Sequence, residues 1–145
     1  MAEPRRQYCT FRVSDLLLGV DVQQVQEVIR YQAMTRVPLA GRAITGLINL
    51  RGQIVTAIDL REQLGLPPRE RERLPMNVVI RDEDGAVSLL VDEIGDVIEV
   101  DNETFEPPPA TVRGPTRAMV SGAYKLEHEL LLVLNTLHAL QSLAA

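Results

Sequence analysis

The residue types that most often carry chemistry are few in this chain and poorly spaced for it. The histidines are His128, which lies between two glutamates, and His138, and the one cysteine is Cys9. A metal site needs three or four His, Cys or carboxylate ligands at suitable spacing, and this pattern supplies none. The serines lack a glycine-flanked elbow, and no glycine-rich phosphate loop occurs. We therefore expect no catalytic residues, no metal and no cofactor.

Arg51 is the charged residue whose position most needs an explanation. It lies with Gly52 between two apolar runs, and the stretch 46–61 as a whole is typical of a β-hairpin. Glycine can adopt a positive φ without steric cost, so Gly52 would permit a tight reversal. A guanidinium at such a turn either points into water or reaches across to an acid, and water is the more common outcome for a charged side chain.

Composition limits the partners that this chain can have. Hydrophobic residues make up 46% of the 145 residues but aromatic residues only 3%, so the core must be aliphatic. A net charge of −5 disfavours a surface that follows nucleic-acid phosphates, and the few aromatic residues disfavour base stacking. No run approaches the ~20 apolar residues that span a bilayer, and no signal peptide is recognisable. We expect a cytoplasmic protein that binds other proteins.

Short apolar runs separated by turn signals predict about nine or ten strands and three short helices. Besides the hairpin, strands are predicted at residues 8–13, 16–20, 76–81, 86–91, 95–100, 117–124 and 129–135. A helix of about two turns is predicted to begin at Asp21 and another at Asp59, because Gln or Glu three residues later gives the spacing of a capping box. The spacing of Leu137 and Leu140 indicates a closing helix.

Two charged stretches are expected at the surface. Residues 69–73 alternate between Arg and Glu, which indicates a solvated loop, and Asp92 opens an acidic run that predicts the outer face of a strand. The hairpin pattern repeats on either side of residues 66–75, which predicts two lobes with a boundary there. Short strands with tight turns favour small β-barrels, whose grooves and strand edges bind partners.

Five segments in order carry a resemblance to a known family. They are residues 19–29 (GVDVQQVQEVI), 35–38 (TRVP), 46–52 (GLINLRG), 58–61 (IDLR) and 90–92 (LVD). This pattern resembles the bacterial chemotaxis coupling proteins of the CheW family over residues 7–143. The resemblance implies a mainly β fold in which two five-stranded SH3-like β-barrels pack together, with short helices and a C-terminal helix. It implies a single domain over 7–143 made of two lobes.

The resemblance also implies a function and a set of site residues. It implies a non-enzymatic adaptor that couples transmembrane chemoreceptors to the histidine kinase CheA in signalling arrays, and that receptors recruit to the inner face of the membrane. The tips of methyl-accepting receptors would lie in a groove between the barrels, and the regulatory domain of CheA would dock at barrel ends. The receptor-contact positions of the family fall on Val25, Glu27, Gly46, Asn49, Leu50, Arg51 and Gly52. Among these, Glu27 and Arg51 would face each other.

Other interpretations stay open. A CheW-like adaptor could serve a different receptor and kinase system, in motility or development. A regulatory domain of CheA or a CheV protein is less favoured, because no ATP site or receiver segment fits within 145 residues. A small ligand-binding or enzymatic β-barrel would need a polar pocket, against which the sparse His, Cys and aromatic residues argue.

Overall fold

The structure, a computed structural model, describes residues 5–83 and 85–141. Ten strands in these ranges form two five-stranded sheets. The first sheet contains β1 (Arg5–Val13), β2 (Leu16–Asp21), β8 (Glu93–Asp101), β9 (Val120–Lys125) and β10 (Leu130–Leu134). The second sheet contains β3 (Val25–Ile29), β4 (Ile44–Leu50), β5 (Gln53–Asp59), β6 (Met76–Asp82) and β7 (Gly85–Val91). The helices are α1 (Leu60–Leu64), α2 (Gly114–Ala118) and α3 (Thr136–Gln141), and 3-10 turns occur at Val22–Gln24 and Asn102–Thr104. None of the helices in the described ranges has the length and apolar character needed to cross a bilayer.

The two sheets have the same topology. Their strand orders are β8-β1-β2-β10-β9 and β3-β6-β7-β5-β4. In each sheet an antiparallel hairpin, β1–β2 or β6–β7, pairs on one side with an antiparallel edge strand. On its other side it pairs in parallel with the second strand of another hairpin, β9–β10 or β4–β5. The run β1–β5–α1 is therefore equivalent in element order to the run β6–β10–α3.

This equivalence extends to individual residues. The third residue of β2, Leu18, pairs with Leu132, and the third residue of β7, Val87, pairs with Thr56. Asn135 follows Leu132 by three residues, and its Oδ1 accepts a backbone N–H at the start of α3 at 3.0 Å. Asp59 follows Thr56 by three residues, and its Oδ1 accepts a backbone N–H at the start of α1, also at 3.0 Å. The sequence halves are too different for this repeat to be recognised without the strand pairing.

The predicted lobe boundary at 66–75 is corrected by the topology. That segment connects α1 to β6 and separates two equivalent runs of sequence, but β3, β4 and β5 before it lie in the same sheet as β6 and β7 after it. Within the described ranges the chain changes sheet at 22–24 and at Asp92. The predicted end of the domain at 143 lies outside the described residues.

The predicted two-turn helix after Asp21 is wrong. Asp21 does act as a cap, because its Oδ1 accepts the Gln23 N–H at 2.9 Å, but only the 3-10 turn forms before the chain extends into β3. Val28 then pairs with Val78 of β6. A short run of β-branched residues fits helical and extended spacing equally well, and pairing with a neighbouring strand decides between them.

The other predicted elements are largely confirmed. The hairpin of residues 46–61 forms β4 and β5, and the helix predicted from Asp59 forms α1, which ends at Gly65 in the left-handed conformation. The predicted strand 117–124 begins later, at Val120, because α2 occupies the preceding residues with Pro115 in its first turn.

Asp92 is buried, contrary to the expectation of an acidic outer face. Its side chain is 6% exposed and accepts hydrogen bonds from Arg61 Nε (3.0 Å) and Nη2 (2.6 Å), from Arg69 Nε (2.8 Å) and from the Ser14 backbone N–H (2.7 Å). Arg69 is only 10% exposed, so the predicted solvated loop 69–73 is anchored at its first residue. This cluster joins the β1–β2 turn, α1 and the 66–75 segment to the crossover between the sheets.

The cluster also sets the protonation state of Asp92. Burial alone would raise the pKa of the carboxyl group, but hydrogen bonds from Arg61, the Ser14 backbone and Arg69 outweigh burial and lower the pKa to about 2. A carboxylate whose pKa is lowered by folding stabilises the fold above its unfolded pKa, and this contribution is lost as the pH falls towards the folded value.

We expect Asp92→Asn to lower the free energy of unfolding at pH 7 by about 2–4 kcal/mol, because it leaves two buried guanidinium groups without their counter-charge. Urea denaturation at pH 7 and pH 3 measures this. The wild type should lose about 1–2 kcal/mol more than the variant between these pH values. Asp96→Asn, at an exposed position of β8, the strand that follows Asp92, is the matched control. Parallel pH dependence in the wild type and Asp92→Asn would contradict the account.

Candidate functional site

The β4–β5 turn holds Arg51 in a conformation that is unfavourable for its residue type. Leu50 and Gln53 are paired, and the two residues between them have positive φ, 51° at Arg51 and 89° at Gly52. This is the geometry of a type I′ hairpin turn, in which Asn and Gly are the common residues. The Asn49 side chain supports the turn by accepting the Gly52 N–H at 2.9 Å. A non-glycine residue in this region costs about 1–2 kcal/mol, and such strain is typical of functional positions.

Arg51 reaches across to Glu27, as the resemblance implies. Its Nη2 donates to Glu27 Oε2, so the strained turn is bonded to β3 of the same sheet. The Glu27 side chain is 19% exposed, whereas that of Arg51 is 72% exposed. The bond from Arg51 lowers the pKa of Glu27 against the opposing effect of burial, with a smaller contribution from Gln26. A pair this exposed contributes only about 0–1 kcal/mol to stability, so its main effect is on orientation.

A β-bulge in β3 determines where Glu27 points. Val25 pairs with Ile80 and Glu27 pairs with Val79, so Gln26 is the additional residue. Bulges redirect side chains near functional sites. The Gln26 amide lies 3.4 Å from Glu27 Oε2 and 3.3 Å from Gln53 Oε1, which connects β3 to the first residue of β5. Gln26 and Gln53 were not among the predicted site residues, because a bulge depends on strand pairing that sequence spacing does not reveal.

Two of the predicted site residues lie in the interior. A Cβ atom at Gly46 would lie 2.7 Å from the Thr35 carbonyl oxygen, so glycine is needed where the Thr35 segment covers the edge of β4. Gly122 holds the equivalent place in β9, where a Cβ would lie 2.7 Å from the Glu106 carbonyl. Leu50 is 6% exposed and packs in a cluster with residues of β5, β6 and β7.

The surface of the site is therefore smaller than the predicted set. Glu27, Asn49, Arg51 and Gly52 reach solvent, and Val25 is half-buried against the main core. Ile54, which pairs with Asn49 and is 60% exposed, adds an apolar side chain that the sequence analysis did not select. We call this surface the hairpin site; it consists of the Glu27–Arg51 pair together with Asn49, Gly52 and Ile54.

A concave surface separate from the hairpin site lies at one end of the first sheet. It is a cleft of about 480 Å³ between the β1–β2 turn, the start of β10 and the residues around α2. Leu16, Leu17, Leu66, Val112 and Leu130 form its apolar lining, and Asp15, Arg113 and Glu129 contribute charges. The arrangement suits an apolar side chain from a partner.

Comparison with known proteins places this geometry in a family. The family model described as "CheW-like domain" matches residues 7–144. The chain belongs to the CheW family. It is 34% identical to the chemotaxis protein CheW of Bacillus subtilis over 125 residues, which cover 86% of this chain and 80% of that protein. It is 29% identical to the chemotaxis protein CheW of Treponema pallidum over 133 residues, which cover 89% and 78%.

A solved structure supports the same assignment. The crystal structure of the scaffolding protein TtCheW from Thermoanaerobacter tengcongensis superposes with a TM-score of 0.81 at 28% identity, over 91% of this chain and 90% of that one. The predicted fold class, mainly β with two five-stranded SH3-like units, is confirmed. A shorter match, 37% identity over 59 residues, links 41% of this chain to 37% of the protein FrzA of Myxococcus xanthus.

We expect Arg51→Asn to remove the ion pair while the turn is kept, because Asn tolerates the left-handed conformation but cannot reach Glu27. The free energy of unfolding should stay within about 1 kcal/mol of the wild type. The pKa of Glu27, measured by carboxyl NMR titration, should rise towards its ordinary value once the bond from Arg51 is lost. An unchanged Glu27 pKa in this variant would show that the pair does not persist in solution.

Proposed function

We propose that this chain is a non-enzymatic adaptor that couples the cytoplasmic tips of transmembrane chemoreceptors to the histidine kinase CheA. Membership of the CheW family supports a chemotaxis role, and a solved relative is described as a scaffolding protein. The observation that carries the proposal is the strained Arg51, held at an exposed turn and bonded to Glu27 on β3, an edge strand of the same sheet. Strain at a surface turn that adds little stability is best explained by a binding role.

In this proposal the receptor tip binds the hairpin site. The predicted contacts are Glu27, Asn49, Arg51 and Gly52 at the surface, with Val25 beside them and Gly46 and Leu50 supporting the hairpin from inside. Ile54 supplies an exposed apolar side chain on the same hairpin as Arg51, so the surface combines an apolar contact with fixed charges. Such a combination gives a defined orientation to a bound segment, whereas apolar contact alone does not.

CheA is proposed to bind elsewhere on the molecule, through its regulatory domain at the end of the first sheet. The apolar cleft beside the β1–β2 turn supports this location, because different elements form the cleft and the hairpin site. Two separate surfaces allow the adaptor to hold receptor and kinase together at the inner face of the membrane. Individually weak contacts then gain strength from multivalency in an array.

A second candidate function is an equivalent adaptor in another receptor and kinase system. The partial match to FrzA, a protein whose name differs from those of the chemotaxis relatives, favours keeping this candidate. The two candidates differ in the partners that would be bound, and the same binding experiment, repeated with each set of receptors, separates them.

The proposal predicts that charge pairing, and not either charge alone, supports receptor binding. We expect Glu27→Arg and Arg51→Glu each to weaken co-sedimentation with receptor-containing membranes by about tenfold or more, and the double variant to recover much of the affinity. Glu103→Arg, an exposed charge reversal outside the hairpin site, is the control and should bind as the wild type does.

Two results would count against this function. If the double variant binds no better than the single variants, pairing is not the basis of recognition. If the wild type sediments neither with receptor membranes nor with CheA, the adaptor function itself is wrong.

A further inference from the structure

Arg81, near the end of β6, holds the chain where it enters β3. Its Nη1 donates to the backbone carbonyls of Gln23 and Val25, each at 2.9 Å. These carbonyls lie on either side of Gln24, where the 3-10 turn ends and the strand begins. The 3-10 turn contains no buried residue, so this crossover lacks an apolar anchor of its own.

The other crossover between the sheets is held in a different way. At Asp92 a carboxylate that is 6% exposed binds two guanidinium groups and a backbone N–H, and the Asp92 N–H donates to the Arg12 carbonyl at 2.9 Å. At residues 22–24 the bonds between elements are those from Arg81 and a bond of 3.1 Å from Gln24 Nε2 to Thr136 Oγ1. The crossover that leads to Glu27 therefore depends on a few bonds to uncharged acceptors, and the bonds from Arg81 among them are exposed.

Arg12 occupies the equivalent position in the first sheet but makes different contacts. Arg81 pairs with Ala86 and Arg12 pairs with Leu17, each one position before the pair that closes its hairpin. The Arg12 guanidinium donates to both carboxylate oxygens of Glu129, at 3.0 and 2.8 Å. The Arg12 side chain thus joins β1 to the residue before β10, and only the backbone carbonyl of Arg12 bonds to the chain at a crossover, at Asp92.

We propose that Arg81 is a positioning residue for the hairpin site. By holding the carbonyls of Gln23 and Val25 it fixes the start of β3, and with it the bulge that directs Glu27 towards Arg51. β3 is short, half-buried and paired with one neighbour, β6, so its first residues have little else to keep them in register. The proposal rests on the proposed function only where it concerns receptor binding.

We call the two bonds from Arg81 to the carbonyls of Gln23 and Val25 the clamp. Hydrogen exchange on the full chain, without a partner, tests whether the clamp holds these residues. Removal of Arg81 allows residues 22–29 to open more often, and amide exchange reports such local opening. We expect Arg81→Ala to speed exchange over 22–29 by about fivefold while 93–101 stays unchanged. Arg12→Ala is the matched control and should leave 22–29 unaffected.

Rescue by lysine separates the two bonds from a general effect of side-chain size. Both bonds come from a single nitrogen, and a lysine ammonium carries three N–H donors on one atom, so Arg81→Lys should restore slow exchange. Equal exchange over 22–29 in Arg81→Ala and the wild type, or an equal increase in Arg12→Ala, would overturn the clamp.

The positioning role needs a readout at Glu27. We expect its pKa, measured by carboxyl NMR titration, to rise towards the ordinary value in Arg81→Ala and to stay lowered in Arg12→Ala and Arg81→Lys. Receptor-membrane binding should weaken about fivefold in Arg81→Ala alone. The positioning role would be overturned if the pKa of Glu27 in Arg81→Ala stayed as low as in the wild type. It would also be overturned if Arg81→Ala bound receptor membranes with wild-type affinity despite fast exchange over 22–29. Failure of the wild type to bind receptors would instead count against the proposed function, since exchange and the Glu27 pKa are measured without a partner.

Discussion

Neither sheet can form from one half of the chain, and the rest of the structure depends on this constraint. Three strands of each half lie in the sheet that contains the other half's hairpin. The largest cluster of buried side chains in the described ranges accordingly takes members from both sheets, for example Leu18 of β2 and Leu89 of β7. A core shared in this way resists separation of the two lobes, because separation would expose apolar surface on both.

The constraint concentrates structural importance at the two places where the chain changes sheet. One crossover is fixed by the buried Asp92 with Arg61 and Arg69, and it leads into β8. The other has no buried residue and leads into β3, the edge strand that carries Glu27. Edge strands with few buried contacts are the elements that adjust most easily when a partner binds. The fold thus combines a rigid shared core with an adjustable edge beside the strained turn at Arg51.

Local features could be predicted well from the sequence, whereas the exchange of strands between the two halves of the chain could not. The hairpin at Arg51–Gly52 and the cap at Asp59 were predictable because turn and capping chemistry act within a few residues. The lobe boundary, the burial of Asp92 and the strand at Val25–Ile29 were not, since each depends on a partner distant in the sequence. The Glu27–Arg51 pair was expected from the family resemblance. The bulge at Gln26 and the contacts of Arg81 could be recognised only in the structure.

An NMR titration can measure whether the hairpin site binds a receptor tip. The uniformly ¹⁵N-labelled chain is titrated with a receptor cytoplasmic-tip fragment, and amide shift changes are mapped along the sequence. We expect the largest changes at residues 25–29 and 49–54, with small changes around the cleft lined by Leu16 and Leu66. Largest changes at that cleft, or none at the hairpin site at saturating fragment, would contradict receptor binding at the hairpin site.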